Sequence, residues 1–246
     1  MRVTRVHVDL PLSDTAEVSL PEAAAVHLTR VLRMREGDAC VLFNGDGRDW
    51  PATITALSKR EVRVRLGEAT RVDRESPLSI VLVQGVARGE KMDLVLQKAT
   101  ELGVAGIVPV MSQRSEVKLD EARAEKRLAH WRSVVASASE QSGRARVPSV
   151  LAPVSLHAAL DALQPGGTRL LLDPEGEVAF NGLEPDTARP LHLAVGPEGG
   201  WSPLDREQLV AAGFAGLRLG PRILRTETAG LAAIAALQAR FGDLQA

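Results

Sequence analysis

Leu191-His192-Leu193-Ala194-Val195 runs directly into Gly196-Pro197-Glu198-Gly199-Gly200, and Trp201-Ser202-Pro203 follows at once. Four of the first five residues are apolar, the pattern of a strand buried on both faces, as parallel sheets demand. Ser202 can then cap a helix that begins at Pro203, with Asp205 at its third position completing a capping-box arrangement. The reading is strand, glycine turn, helix. At the carboxyl edge of an open parallel sheet ligands bind, and glycine lets backbone groups approach them without a Cβ in the way. The residues alone do not separate such a ligand loop from a tight structural turn. Neither Gly-x-Gly-x-x-Gly nor Gly-Lys-Ser/Thr is present, which disfavours ordinary dinucleotide and nucleoside-triphosphate sites.

Upstream, apolar strands alternate with helices: strands over 78–83, 106–110 and 169–172, helices over 90–102 and about 120–139. That is an α/β pattern with a largely parallel sheet. Met92, Val95, Ala99 and Leu102 share one helical face, and Gly103 ends it; Leu128, Trp131, Val135 and Ala138 repeat the spacing. Downstream, Leu217-Arg-Leu219-Gly220-Pro221-Arg222-Ile223-Leu224-Arg225-Thr226-Glu227-Thr228-Ala229 reads as a strand, a Gly-Pro turn, a basic irregular segment and a helix start. The helix continues as 229–237, apolar on nearly every side, so it must be covered all round. A central core helix would satisfy that, but the easier cover for a domain of this size is a second copy, and a homodimer is expected.

Residues 1 to about 70 are different. Val3, Val6 and Val8, the run 39–43 and the strict alternation of 61–66 suggest strands, with Asn44-Gly-Asp-Gly47 as a turn. Pro21 opens one helix, with Leu28, Val31 and Leu32 predicted on its buried face and Gly37 beyond its end. The result is a small barrel or curled sheet. Arg30, Arg33 and Arg35, then Arg60, Arg63 and Arg65, concentrate positive charge, although residues 1–72 net only +1. Those arginines are either a solvated face or a patch for phosphates. The charged segment 71–77 ends in Pro77 and marks a boundary, giving domains 1–72 and 73–246.

The 246 residues are 45% hydrophobic and 25% charged with a net charge of -1, ordinary for a folded protein. Cys40 is the single cysteine, which excludes an internal disulfide, and the five histidines lack metal-ligand spacing, so no metal is expected. Cys40 itself reads as a buried strand residue. No apolar stretch approaches the ~20 residues of a membrane span, and the N-terminus lacks an apolar signal core. A cytoplasmic protein without a membrane partner is expected. Aromatic residues are 3% and tyrosine is absent, which argues against base stacking on exposed rings.

Lys91-Met-Asp-Leu-Val-Leu-Gln-Lys-Ala-Thr-Glu-Leu-Gly103, Arg114-Ser115, Ser139-Glu-Gln-Ser-Gly-Arg144, Gly196-Pro-Glu-Gly-Gly200 and Leu219-Gly-Pro-Arg-Ile-Leu-Arg-Thr-Glu-Thr-Ala229 occur in this order along the chain. Together they resemble the RsmE family of ribosomal RNA methyltransferases, over nearly the whole chain. The resemblance implies a SPOUT-type α/β methyltransferase domain with a parallel sheet and a trefoil knot, preceded by a PUA-like RNA-binding β-barrel; His27-Leu-Thr-Arg-Val-Leu-Arg33 is similar to part of that barrel. Knots of this kind are rare. It implies S-adenosylmethionine as cofactor, N3 of a uridine in 16S ribosomal RNA, free or within the assembled small subunit, as target, and a homodimer as the working form.

By the same resemblance Leu172, Gly196, Gly200, Leu219, Ile223 and Leu224 hold the cofactor, with the adenine on backbone groups of Leu219, Ile223 and Leu224. Arg30, Arg33 and Arg35 contact RNA. Uridine N3 must lose an imide proton before its lone pair attacks the methyl group, so Arg144, Arg225 and Arg114 are candidate donors to the uridine anion and Glu198 a candidate proton acceptor. Glu140 or a water competes with Glu198. Two other readings are a ribose 2′-O methyltransferase with the same cofactor loops and a non-catalytic RNA-binding assembly factor.

Overall fold

The computed structural model describes residues 3–58, 61–117 and 120–245. Arg60, counted above in the basic cluster, lies outside them. The chain divides into two units, Met1–Glu75 with Ala136–Val147, and Ser76–Val135 with Pro148–Ala246. The first unit thus includes the stretch 136–147, which the sequence reading left with the second.

In the first unit the strands are β1 (Arg5–His7), β2 (Glu17–Ser19), β3 (Ala39–Phe43), β4 (Arg48–Leu57), β5 (Val62–Leu66) and β6 (Thr70–Arg71), with the short helix α1 (Glu22–Val26) between β2 and β3. They form one sheet in the order β1-β3-β4-β5-β2, with β6 on β4; β1 pairs with β3 in parallel and the other pairs are antiparallel. The alternation read from 61–66 becomes β5, whose side chains are buried and exposed in turn, and Val62, Val64 and Leu66 join Leu28, Leu42, Trp50 and Ile54 in the core. Cys40 is buried there, and burial pushes its thiol up to about 11.

One predicted face is wrong. After α1 the backbone widens into a π-helical turn over His27–Val31, which adds a residue per turn. Leu28 stays in the core, but Val31 is 64% exposed and Leu32 37%.

The residues 136–147 are held to this unit by polar contacts. The His7 amide donates to Glu140 Oε1 (2.8 Å), Arg5 Nη2 to the Arg144 carbonyl (3.0 Å), Arg74 Nη1 to the Gly143 carbonyl (2.9 Å) and the Gly47 amide to the Ala145 carbonyl (3.2 Å). Arg144 is buried and its guanidinium pairs with the Glu75 carboxylate.

The second unit holds β7 (Ile80–Gly85), α2 (Glu90–Glu101), β8 (Gly106–Met111), α3 (Glu121–Ser142, whose end belongs to the first unit), β9 (Ser149–Val150), β10 (Val154–Ser155), α4 (Leu156–Ala162), β11 (Thr168–Leu172), β12 (Val178–Ala179), β13 (Leu191–Val195), α5 (Pro203–Ala211), β14 (Ala215–Arg218) and α6 (Thr226–Phe241). Eight strands form a wholly parallel sheet, ordered β10-β8-β7-β13-β11-β14-β12 with β9 on β8. β13 is buried at every residue, as its composition predicts. It lies between β7 and β11, two strands that precede it in the chain. On one face of the sheet, Leu156 and Ala159 of α4 pack with Leu209 of α5, Phe214 and Trp201.

Candidate active site

At the carboxyl ends of β11, β13 and β14 the second unit encloses a cavity of about 450 Å³, within the usual range for a small-molecule site. Every cofactor residue expected from the sequence lines it: Leu172 after β11, Gly196 and Gly200 after β13, and Leu219, Ile223 and Leu224 after β14. Glu198, Arg114 and Arg225 line it as well. Arg144 is not among the lining residues: it belongs to the first unit, where its charge is neutralised by Glu75. Arg30, Arg33 and Arg35 also lie in the first unit.

The glycine loop is shaped by close packing. The Gly200 amide donates to the Pro197 carbonyl (2.8 Å), and Gly200 takes φ +66°, a region that side chains disfavour. A Cβ on Gly196 would come within 3.1 Å of the Gly200 Cα and the Trp201 amide, and one on Gly85 within 2.5 Å of the Pro197 ring. Beneath the loop, Gln84 Nε2 donates to Thr226 Oγ1 (3.2 Å), whose hydroxyl donates to the Gly196 carbonyl. Beyond it, Ser202 and Asp205 form the capping box, with Pro203 opening α5.

Glu198 is spent on the loop's own anchorage. Its Oε1 accepts from the Arg88 amide (3.1 Å) and from Lys91 Nζ (3.2 Å). Partial burial would raise its pKa, but these hydrogen bonds, its own backbone amide and the Lys91 charge outweigh that and hold it below the ordinary 4.5. Across the loop, Arg114 Nη1 donates to the Gly199 carbonyl (3.1 Å).

The opposite wall is fastened by a pair that sequence reasoning missed. Asp173, 8% exposed, takes a two-pronged ion pair from Arg206 of α5, at 2.5 and 2.6 Å. Asp173 Oδ1 also accepts from the Glu175 amide (3.0 Å), and the Asp173 amide donates to Leu217 of β14 (3.0 Å). A Cβ on Gly176 would meet the Gly216 carbonyl at 2.4 Å, so the two backbones touch here. Arg206 thus ties the helix after the glycine loop to the loop after β11. A signal existed in Asp173-Pro174 at a strand's end, but nothing in the sequence pairs it with a residue 33 positions on.

Two family models match the chain, an RNA methyltransferase domain over residues 74–238 and an RNA methyltransferase PUA domain over residues 20–67. A ribosomal RNA small subunit methyltransferase E from Buchnera aphidicola is 32% identical over 99% of this chain and 98% of its own length. This chain belongs to the ribosomal RNA small subunit methyltransferase E family. The Bacillus subtilis member is 34% identical, covering 86% of this chain and 85% of its own. The crystal structure of the Neisseria gonorrhoeae member bound to S-adenosyl methionine superposes with a TM-score of 0.93 at 41% identity, covering 99% of this chain and all of that one. The second unit is therefore a methyltransferase domain of this family, and the first unit is PUA-like.

Proposed function

We propose that the chain transfers a methyl group from S-adenosylmethionine to N3 of a uridine in small-subunit ribosomal RNA. The observation that carries this reading is the cavity itself, in which turns from three strand ends bring together the residues expected from the resemblance to hold the cofactor. The donor fits what is present. Gly200 and Gly220 leave open space where a Cβ would stand, and Glu227, half-buried on the cavity wall, keeps one carboxylate oxygen without a hydrogen-bond partner among the described residues. Backbone groups of Leu219, Ile223 and Leu224 would hold the adenine, with Gly196 and Gly200 beside the ribose and methionine part. When bound, S-adenosylmethionine supplies a methyl group on a positively charged sulfur, an electrophile for a nitrogen lone pair.

The chain's own residues then have two tasks. Holding the turns rigid orients the reactants, which is worth up to about 7–11 kcal/mol where alignment is good. Arg114 and Arg225, both exposed at the cavity, favour the uridine anion over neutral uracil as the imide proton leaves. Glu198 is a poor acceptor for that proton, because Lys91 and the Arg88 amide already stabilise its charge. We assign it to anchoring the loop and the proton to water. Glu198→Gln then reduces donor affinity more than it alters the pH profile of the saturated rate; loss of a titrating limb from that profile would restore it as the base.

The same reading makes the chain a cytoplasmic homodimer with a knotted second unit. Supporting the dimer, α6 buries Gly230, Ala233, Ile234 and Leu237 but leaves Thr228 and Ala232 exposed in the single chain. Supporting the knot, β13 enters the sheet between two earlier strands and Gly176 lies against Gly216. No helix among the described residues is long and apolar enough to cross a membrane, and they hold no cluster suited to a metal ion. The deciding experiment methylates small subunits from a strain lacking the endogenous enzyme and analyses the digested nucleosides. N3-methyluridine is expected. A ribose-methylated nucleoside would move the reaction to the 2′-hydroxyl, and no incorporation would end the proposal.

A further inference from the structure

Five cationic side chains but three carboxylates line the cavity. Two of the carboxylates are already neutralised, Asp173 by Arg206 and Glu198 by Lys91. The third, Glu227, has no ion-pair partner among the described residues, and its Oε2 is shut off from water without a hydrogen-bond donor. The cations left over, Arg114, Arg222 and Arg225, are exposed, so water and salt screen them. Within the cavity the charge of Glu227 is therefore the one that neither a protein partner nor full hydration cancels.

Glu227 stands in the first turn of α6, where the helix dipole favours a carboxylate. The dipole does not require an oxygen to be hidden from water, and a hidden acceptor without a donor is a cost. Such a cost kept on the wall of a cavity points to an occupant that brings positive charge. Thr226, the preceding residue, is buried and its hydroxyl is bound to the Gly196 carbonyl, which fixes this turn of α6 to the glycine loop beside the methionine part of the proposed donor site. At that part lies the one difference between donor and product. S-adenosylmethionine and S-adenosylhomocysteine share adenine, ribose, ammonium and carboxylate, so turns that grip those groups cannot separate them. They differ by a methyl group and a positive charge. A sulfonium has no proton to lose, so its charge persists on burial, and a carboxylate without donors meets it by charge alone.

We propose that Glu227 acts on the sulfonium charge of the bound donor and so distinguishes S-adenosylmethionine from S-adenosylhomocysteine. When the methyl group has moved to the uridine nitrogen, the pair of the broken C–S bond returns to sulfur, which is then neutral, and the carboxylate again has no counter-charge. Spent product is thereby held less tightly than fresh donor. This rests on the reading of the chain as a methyltransferase, but the two can fail separately.

The test is calorimetry on the full chain with S-adenosylmethionine, S-adenosylhomocysteine and sinefungin, in which an amine-bearing carbon replaces the methylated sulfur. Glu227→Gln keeps the shape and removes the charge. It is expected to weaken donor and sinefungin about tenfold and to leave the product within about twofold. Glu227→Asp keeps the charge but draws it back by a methylene, so it should lose less donor affinity than Glu227→Gln. Equal losses of donor and product in Glu227→Gln overturn the proposal, since they put the carboxylate on the ammonium that both share or on the helix dipole. Donor affinity equal to that of the parent overturns it as well. Should circular dichroism show Glu227→Gln unfolded, Glu227→Asp decides by the same comparison: donor weakened more than product upholds the proposal, and equal changes overturn it. A parent that binds none of the three ligands contradicts the methyltransferase reading itself. A parent that binds all three, with Glu227→Gln weakening them alike, overturns the charge discrimination and leaves that reading standing.

Discussion

Glu140 shows what a single carboxyl contributes at the junction of α3 with the first unit. Burial raises its pKa, and the His7 amide with the charges of His27 and Arg5 offsets only part of this. A raised folded-state pKa means that folding favours the protonated form. Its contribution to stability is therefore complete below the ordinary value near 4.5 and is lost as pH rises through the folded-state value. Glu140→Gln keeps an oxygen for the His7 amide and abolishes the titration, so urea unfolding should show a flatter dependence of stability on pH, with no loss at neutral pH. A destabilised variant at neutral pH would show instead that the charge is needed. The burial of Cys40 was legible from its place in an apolar run. The fate of Arg144 was not, because its partner Glu75 is 69 residues away in sequence.

At the scale of elements, local signals carried most of the reading. The capping box at Ser202, the stop at Gly103 and the alternation of β5 are all settled within a few residues, and the structure contains each of them. The π-turn broke the reading of Val31 and Leu32 because one inserted residue shifts the angular position of every side chain that follows. The Asp173–Arg206 pair was invisible since it joins elements that only the fold brings together. Removing it with Arg206→Ala leaves Asp173 almost buried without a counter-charge and should cost about 1–3 kcal/mol. Donor affinity should fall about tenfold or more, roughly 1.4 kcal/mol, with a smaller change in the rate at saturating donor. Because the pair acts by holding the wall, S-adenosylhomocysteine should lose as much affinity as S-adenosylmethionine. A loss confined to the charged donor would mean that Asp173 senses the sulfonium directly.

For the whole molecule, the proposed dimer rests on α6. Ala232 is exposed within the apolar run 229–237 of α6, so Ala232→Glu should be tolerated by the single chain and rejected by a symmetric partner. Sedimentation of the parent should give a dimer and of the variant a monomer, with donor affinity reduced in the monomer; a monomeric parent would end the dimer reading.

The sequence by itself determined the class of each unit and the carboxyl-edge turns, because strand burial, helix caps and glycine turns are set by neighbours along the chain, while the cofactor residues on those turns were supplied by the family resemblance. Only the tertiary structure decided that β13 lies between β7 and β11, that Glu198 is bound by Lys91, and that Arg144 is buried against Glu75 outside the cavity lining. Those outcomes depend on which distant groups meet, and the free energy of a buried charge is set by the partner it meets.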